Sequence, residues 1–243
     1  MKMFQRCAAG LLALAVQPAL AQDEGPWSVG GTAAVLSEYV WRGVSQTDED
    51  PALQGEIYVE HESGFIVGLW ATSIDFTGPG EEDDGIDYEL DPYIGWAGEF
   101  GNGMSWEVLF TSVLYPGSRE GFDYDYNELS FKLGFGEHYE AGIAYSDDIF
   151  NLGGTGVYYH IAGEWELGDS GFGLRAGVGH YDLDDAAGDS YNDYFVALGR
   201  SWGPAMVELQ YTDTASYGEE LSEALDDAAL ADGRVALSVT FEF

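Results

Sequence analysis

The sequence predicts an all-β fold, a transmembrane antiparallel up-and-down β-barrel of about twelve strands, and three observations carry that prediction. Along residues 233–243, Val235, Leu237, Val239, Phe241 and Phe243 fall on one face of an extended strand, with Arg234, Ala236, Ser238, Thr240 and Glu242 on the other, because strand side chains alternate. No window reaches the roughly 18 continuous apolar residues of a transmembrane helix, which leaves a closed barrel as the spanning option. Short turns alternate with longer, acid-rich loops, so the negative charge gathers at one end, as in an outer-membrane barrel with short periplasmic turns and long extracellular loops.

The chain has 243 residues, and its first 21 read as a secretory signal. Lys2 and Arg6 precede an apolar run over 7–16, and Ala19-Leu20-Ala21 forms a small-x-small cleavage site. Cys7 lies inside that segment. Residues 22–243 are therefore expected to be one barrel domain without disulfides, exported to the outer membrane of a Gram-negative cell. The formal charge of −36 makes nucleic acid a poor partner and cations good ones. With 46% hydrophobic and 15% aromatic residues, the chain is too apolar for disorder.

The elements follow in order. A first strand is expected over 27–41, with Trp27, Val29, Ala33, Val35 and Tyr39 on one face, then an acidic loop over 43–51. Strand two covers 52–61 and sets Leu53, Ile57 and Val59 against Gln54, Glu56, Tyr58 and Glu60; a turn at 62–64 leads into 65–76, where both faces are apolar. After a loop over 77–86, the strand 87–97 shows Tyr88, Leu90, Ile94 and Trp96 on one side. The same unit recurs over 104–115, 124–135, 139–146, 157–167, 172–181, 190–199, 205–212 and 233–243.

A soluble β-sandwich would alternate as well. The barrel is favoured because aromatics gather near strand ends (Trp27, Tyr39, Trp41, Tyr88, Trp96, Tyr115, Tyr124, Trp165, Tyr211), as an interfacial girdle requires. The opposite faces carry Gly, Tyr, Ser and charges of both signs, which suits a wet lumen.

The most specific segment is Tyr39-x-Trp41-Arg42-Gly43-x-Ser45-Gln46-Thr47, followed by Pro51-Ala52-x-Gln54-Gly55. From its residues alone it is a hairpin loop, either stabilised by its own side chains or acting at a pore mouth. The pattern resembles the TorF family of porins, and the likeness extends to the signal segment, the length, the aromatic-rich strands and the terminal Phe243. That resemblance implies an outer-membrane barrel for passive solute transport and supplies no catalytic residues.

Other motifs point elsewhere. Gly168-Asp169-Ser170-Gly171 is similar to a serine-protease nucleophile motif but sits in a short turn. His180, Ser190 and Asn192 on neighbouring strands resemble the triad of an outer-membrane phospholipase, the basis of an alternative reading as a lipid hydrolase. Residues 80–91 form a partial Ca²⁺-loop pattern lacking its first acidic ligand. Leu221, Leu225 and Ala228 have helical spacing within the last loop, so a short helix there is expected over or inside the mouth. There is no Cys/His cluster, HExxH, P-loop or dinucleotide fingerprint, so no enzyme, cofactor or metal is expected.

Strand parity places Glu56, Glu60, Glu107, Glu128, Lys132, Glu140, His160, Glu164, Arg175, Glu208 and Arg234 toward the lumen. Facing charges with an acidic surplus predict a porin-like channel for small hydrophilic solutes that prefers cations. Twelve strands lie between filled eight-strand barrels and open porins, so a barrel without an open pore, structural or adhesive, is the alternative. The expected partners are outer-membrane lipid and lipopolysaccharide, the barrel-assembly machinery through the strand ending at Phe243, small solutes and cations, with homo-oligomerisation open.

Overall fold

A computed structural model of the protein describes residues 25–77, 84–101, 103–225 and 228–243. The signal segment and Glu81, Glu82 and Asp83 of the Ca²⁺-like pattern lie outside the described residues. The alternating segments become β1 (Trp27–Leu36), the short β2 (Val40–Trp41) and β3 (Val44–Ser45), β4 (Ala52–His61), β5 (Phe65–Ser73), β6 (Tyr88–Glu99), β7 (Ser105–Val113), β8 (Tyr126–Phe135) and β9 (Tyr139–Ser146). They continue through β10 (Gly156–Glu166), β11 (Phe172–Asp182), α1 (Asp184–Ala187), β12 (Ser190–Trp202), β13 (Ala205–Ala215), α2 (Glu219–Ala224) and β14 (Arg234–Glu242). Apart from β2 and β3, which pair only with each other, every strand joins one closed antiparallel barrel of twelve, sealed where β14 pairs with β1. Closure leaves no unpaired edge, the condition for strands in lipid.

The two faces of the wall follow the two faces of the sequence. Leu53, Ile57, Val67, Leu69, Ile94, Trp96, Leu129, Phe131, Val196, Leu209, Val235, Leu237 and Phe241 are exposed on the outside. A contiguous apolar surface of that extent has hydrocarbon as its complement. The ambiguous segment resolves by burial: in β5, Ile66, Trp70 and Thr72 point inward at 5% exposure or less, while Val67 and Leu69 point out.

Glycine sets the tight end at one point. Gly64, in the turn after β4, has φ +84°, and a Cβ there would collide with the carbonyl of Ala97. Only glycine fits this left-handed turn at no steric cost.

Two expectations are corrected. The first strand does not run to Trp41. It ends at Leu36, and residues 37–51 turn into the barrel, where Arg42 (φ +48°) and Gly43 (φ +86°) make the left-handed turn that joins β2 to β3. Correspondingly, Tyr39 and Tyr115 are not girdle residues, being only 5% exposed inside the long-loop end. Trp41 and Tyr124 pack against the same interior cluster, which also holds Leu36, Val44, Ile74, Tyr126, Ile149, Tyr181 and Tyr191. Burial of that many rings inside the wall outweighs their gain at an interface, since each removes a large apolar area from water. Trp27, Tyr88, Trp96 and Tyr211 do stay exposed on the outside.

A loop folded into the lumen and the charged wall beneath it

The motif loop lies in the lumen. Its β2–β3 hairpin pairs Val40 with Ser45 and Trp41 with Val44. Ser45, Gln46 and Thr47 are buried, the Thr47 hydroxyl accepts from the Tyr39 amide at 3.2 Å, and the Gln46 amide donates to the Tyr39 carbonyl at 2.8 Å. Gly43 lies against the side chains of Asp193 and Thr214 and leaves no room for a Cβ. Pro51 is exposed at the start of β4, Gln54 turns inward, and Gly55 lies in register between Ala33 and Ala71. Burial pushes the Tyr39 hydroxyl well above its ordinary pKa, with the Glu89 and Asp91 charges adding to the effect, so it stays neutral.

Two arginines fix this loop. Arg42 donates through Nη2 to Glu128 on β8 at 2.6 Å, and its guanidinium carbon lies 4.1, 4.3 and 4.6 Å from the ring centres of Trp41, Tyr158 and Tyr181. Burial works most strongly against its charge, yet Glu128 together with Tyr181, Tyr126 and Tyr158 outweighs burial and holds the group above its ordinary range. Glu38 at the loop's start receives a hydrogen bond from Arg234 on β14, which also donates to the carbonyls of Asp232 and Ala229.

Toward the short-turn end the inner wall is charged. Lys132 pairs with Glu107 at 2.7 Å, directly across the β7–β8 ladder, and His160 lies 3.4 Å from Glu140. Arg175 donates to both carboxylate oxygens of Glu208 at 2.9 and 3.0 Å and stands in register with Glu164. Glu56 accepts from the Tyr93 hydroxyl at 2.6 Å, and Glu60 stands opposite the buried Ile66. Sequence reasoning passed over four more buried acids: Glu38, Glu89, Asp91 and Asp193. Parity was the available signal for three of them, since Glu89 and Asp91 alternate with the outward Tyr88, Leu90 and Ile94 on β6 and Asp193 with the outward Tyr194 and Val196 on β12.

Above the loop, a cavity of about 520 Å³ opens at the long-loop end, lined by Trp41, Phe76, Tyr115, Phe150 and Tyr217 with Asp48 and Asp75 among the rings. The helix expected in the last loop is present as α2, with Leu221 fully buried, followed by a 3₁₀ turn at Ala228–Ala231.

The hydrolase constellation divides. His180 Nδ1 lies 3.0 Å from Asn192 Oδ1, but the Ser190 hydroxyl donates to Asp184 at 2.7 Å. A nucleophile needs its base within hydrogen-bond reach, and Ser190 is turned to a different partner. Gly168–Ser170 is a 3₁₀ turn between β10 and β11, exposed throughout. Asp84 of the Ca²⁺-like pattern is buried and accepts from the Ile86 amide at 2.8 Å.

A model of the family described as bacterial protein of unknown function (Gcw_chp) matches residues 20–243. No curated protein matches the sequence. Among solved structures, the KdgM porin superposes with a TM-score of 0.54 over 88% of this chain and 98% of its own, at 7% identity. The KdgM porin in complex with disordered oligogalacturonate gives 0.51 over the same shares, at 8% identity. At such identities the likeness is one of fold.

Proposed function

This chain belongs to the Gcw_chp family, and from that premise and its geometry we propose that it is an outer-membrane channel for passive diffusion of small hydrophilic solutes. The observation that carries this is a closed twelve-strand wall, apolar outside and charged inside. Residues 1–21 act as the export signal, the short turns face the periplasm and the long loops face outward. The TorF-like motif supports the same reading, as does the fold shared with the KdgM porin. The barrel-assembly machinery takes up the strand ending at Phe243.

The channel is narrow because residues 37–51 occupy its outer half. The wall acids Glu56, Glu60, Glu107, Glu128, Glu140, Glu164 and Glu208 exceed the bases Lys132, His160, Arg175 and Arg234, which favours cations. A second reading, a barrel without an open pore, draws on the burial of Tyr39, Val44, Ser45 and Thr47 among the interior rings.

Planar-bilayer recording of the purified protein separates the two. Wild type is expected to give small potassium-over-chloride conductance. Replacing residues 38–50 with an Asn-Gly turn should raise it several-fold, because Leu36 and Ala52 are already paired. Anion preference would refute the selectivity; silence from both proteins would establish the closed barrel.

A further inference from the structure

The surroundings of Arg42 are those of a ligand site. Three of the groups around its guanidinium belong to the barrel wall: Glu128 on β8, Tyr158 on β10 and Tyr181 on β11. An acid at hydrogen-bond distance with two rings facing one cation is the arrangement that recognises planar or quaternary organic cations. The wall also holds the two rings by contacts of its own. The Tyr158 hydroxyl donates to Asp193 at 3.2 Å, Tyr181 is 1% exposed and packs on Tyr191 at 5.8 Å, and Tyr158 and Tyr181 meet edge to face at 5.6 Å. The Tyr158 ring can lie there because Gly179 on the next strand has no Cβ to obstruct it.

Further acid lies along the same wall, two strands away. Glu89 and Asp91 on β6 are 6% and 7% exposed, and Asp91 Oδ1 has no hydrogen-bond partner. In the ladder, Asp91 stands beside Val113, and Val113 beside Tyr126, the inward residue next before Glu128. Trp41 and Tyr181 border both this site and the cavity at the mouth, so the two are adjacent.

The geometry points to a recognition site for guanidinium-type organic cations within the lumen, held in this state by Arg42 as a tethered stand-in for the ligand. It rests on the channel reading only in naming the solute class. A cationic solute arriving from the mouth competes with Arg42 for Glu128 and the two rings, and success releases the loop.

The test uses methylguanidinium on the detergent-solubilised full barrel. In Arg42→Gly, which keeps the positive φ accessible, millimolar methylguanidinium is expected to raise the Tm by several degrees beyond an equal concentration of sodium. Adding Glu128→Gln should abolish that gain, and an equal gain in the double variant, or none in the single one, would overturn the site. Should Arg42→Gly fail to fold, wild type serves instead. There, methylguanidinium should increase chymotrypsin cleavage at Trp41 several-fold, while Glu128→Gln is cleaved rapidly without it; unchanged cleavage overturns the proposal. Neither readout requires conductance, so a barrel that binds but does not conduct refutes only the channel, and one that conducts but does not bind refutes only the site.

Discussion

Gly179 and Tyr158 show how a missing side chain becomes an interior surface. A Cβ on Gly179 would collide with the Tyr158 ring and the Asp193 carboxylate, so Gly179→Val is expected to displace Tyr158 and cost about 1–3 kcal/mol as an overpacked site does. Urea unfolding in lipid would measure it, and Tyr158→Ala in the same chain should recover part of the loss if the ring is what is struck. Arg175 and Glu208 are each about 5% exposed and joined by two hydrogen bonds. Glu208→Gln leaves Arg175 with Glu164 across the ladder, and a loss on the order of 3 kcal/mol is expected in the same assay. Pairings of this kind were the least legible part of the sequence. Parity separates Glu208 from Leu209, but that Arg175 reaches across an intervening strand to Glu208, or that Glu38 meets Arg234 near the other end of the chain, follows only from closure and shear.

At the scale of elements, strands were readable and loops were not. Leu53, Ile57 and Val59 alternate with polar residues because one side of β4 meets an apolar medium and the other does not, and a period of two survives translation into structure. Residues 37–51 carry no such period. Tyr39 and Trp41 continue the alternation of β1, so the bend at Leu36 is invisible to pattern; Gly43, with its left-handed backbone, marks only the later turn between β2 and β3. β5 was undecidable for the opposite reason. Trp70 is apolar and yet faces inward, because the lumen's outer half is a packed core that takes rings as readily as lipid does, and Ile66 is buried inward at the short-turn end, opposite Glu60.

The molecule as a whole inverts the usual distribution of polarity across its wall while keeping, inside its outer half, the dense apolar packing of an ordinary domain. The outward surface then answers to membrane depth. Val196, near the middle of β12 and 50% exposed, faces hydrocarbon in this arrangement, so Val196→Arg is expected to cost about 2–4 kcal/mol in lipid, falling toward zero for the same change near a strand end. Folding titrations into bilayers of matched thickness would show the gradient.

One rung of the ladder has a wider consequence. Leu36 and Ala52, the residues from which the lumenal loop departs and to which it returns, face each other directly on β1 and β4. Both feet of the insert therefore stand on a single cross-strand step, and its length and contents can vary while the staves of the barrel keep their alignment. The wall serves as a fixed socket and the segment between Leu36 and Ala52 as an insert whose length can change without moving the β1–β4 rung on which it stands.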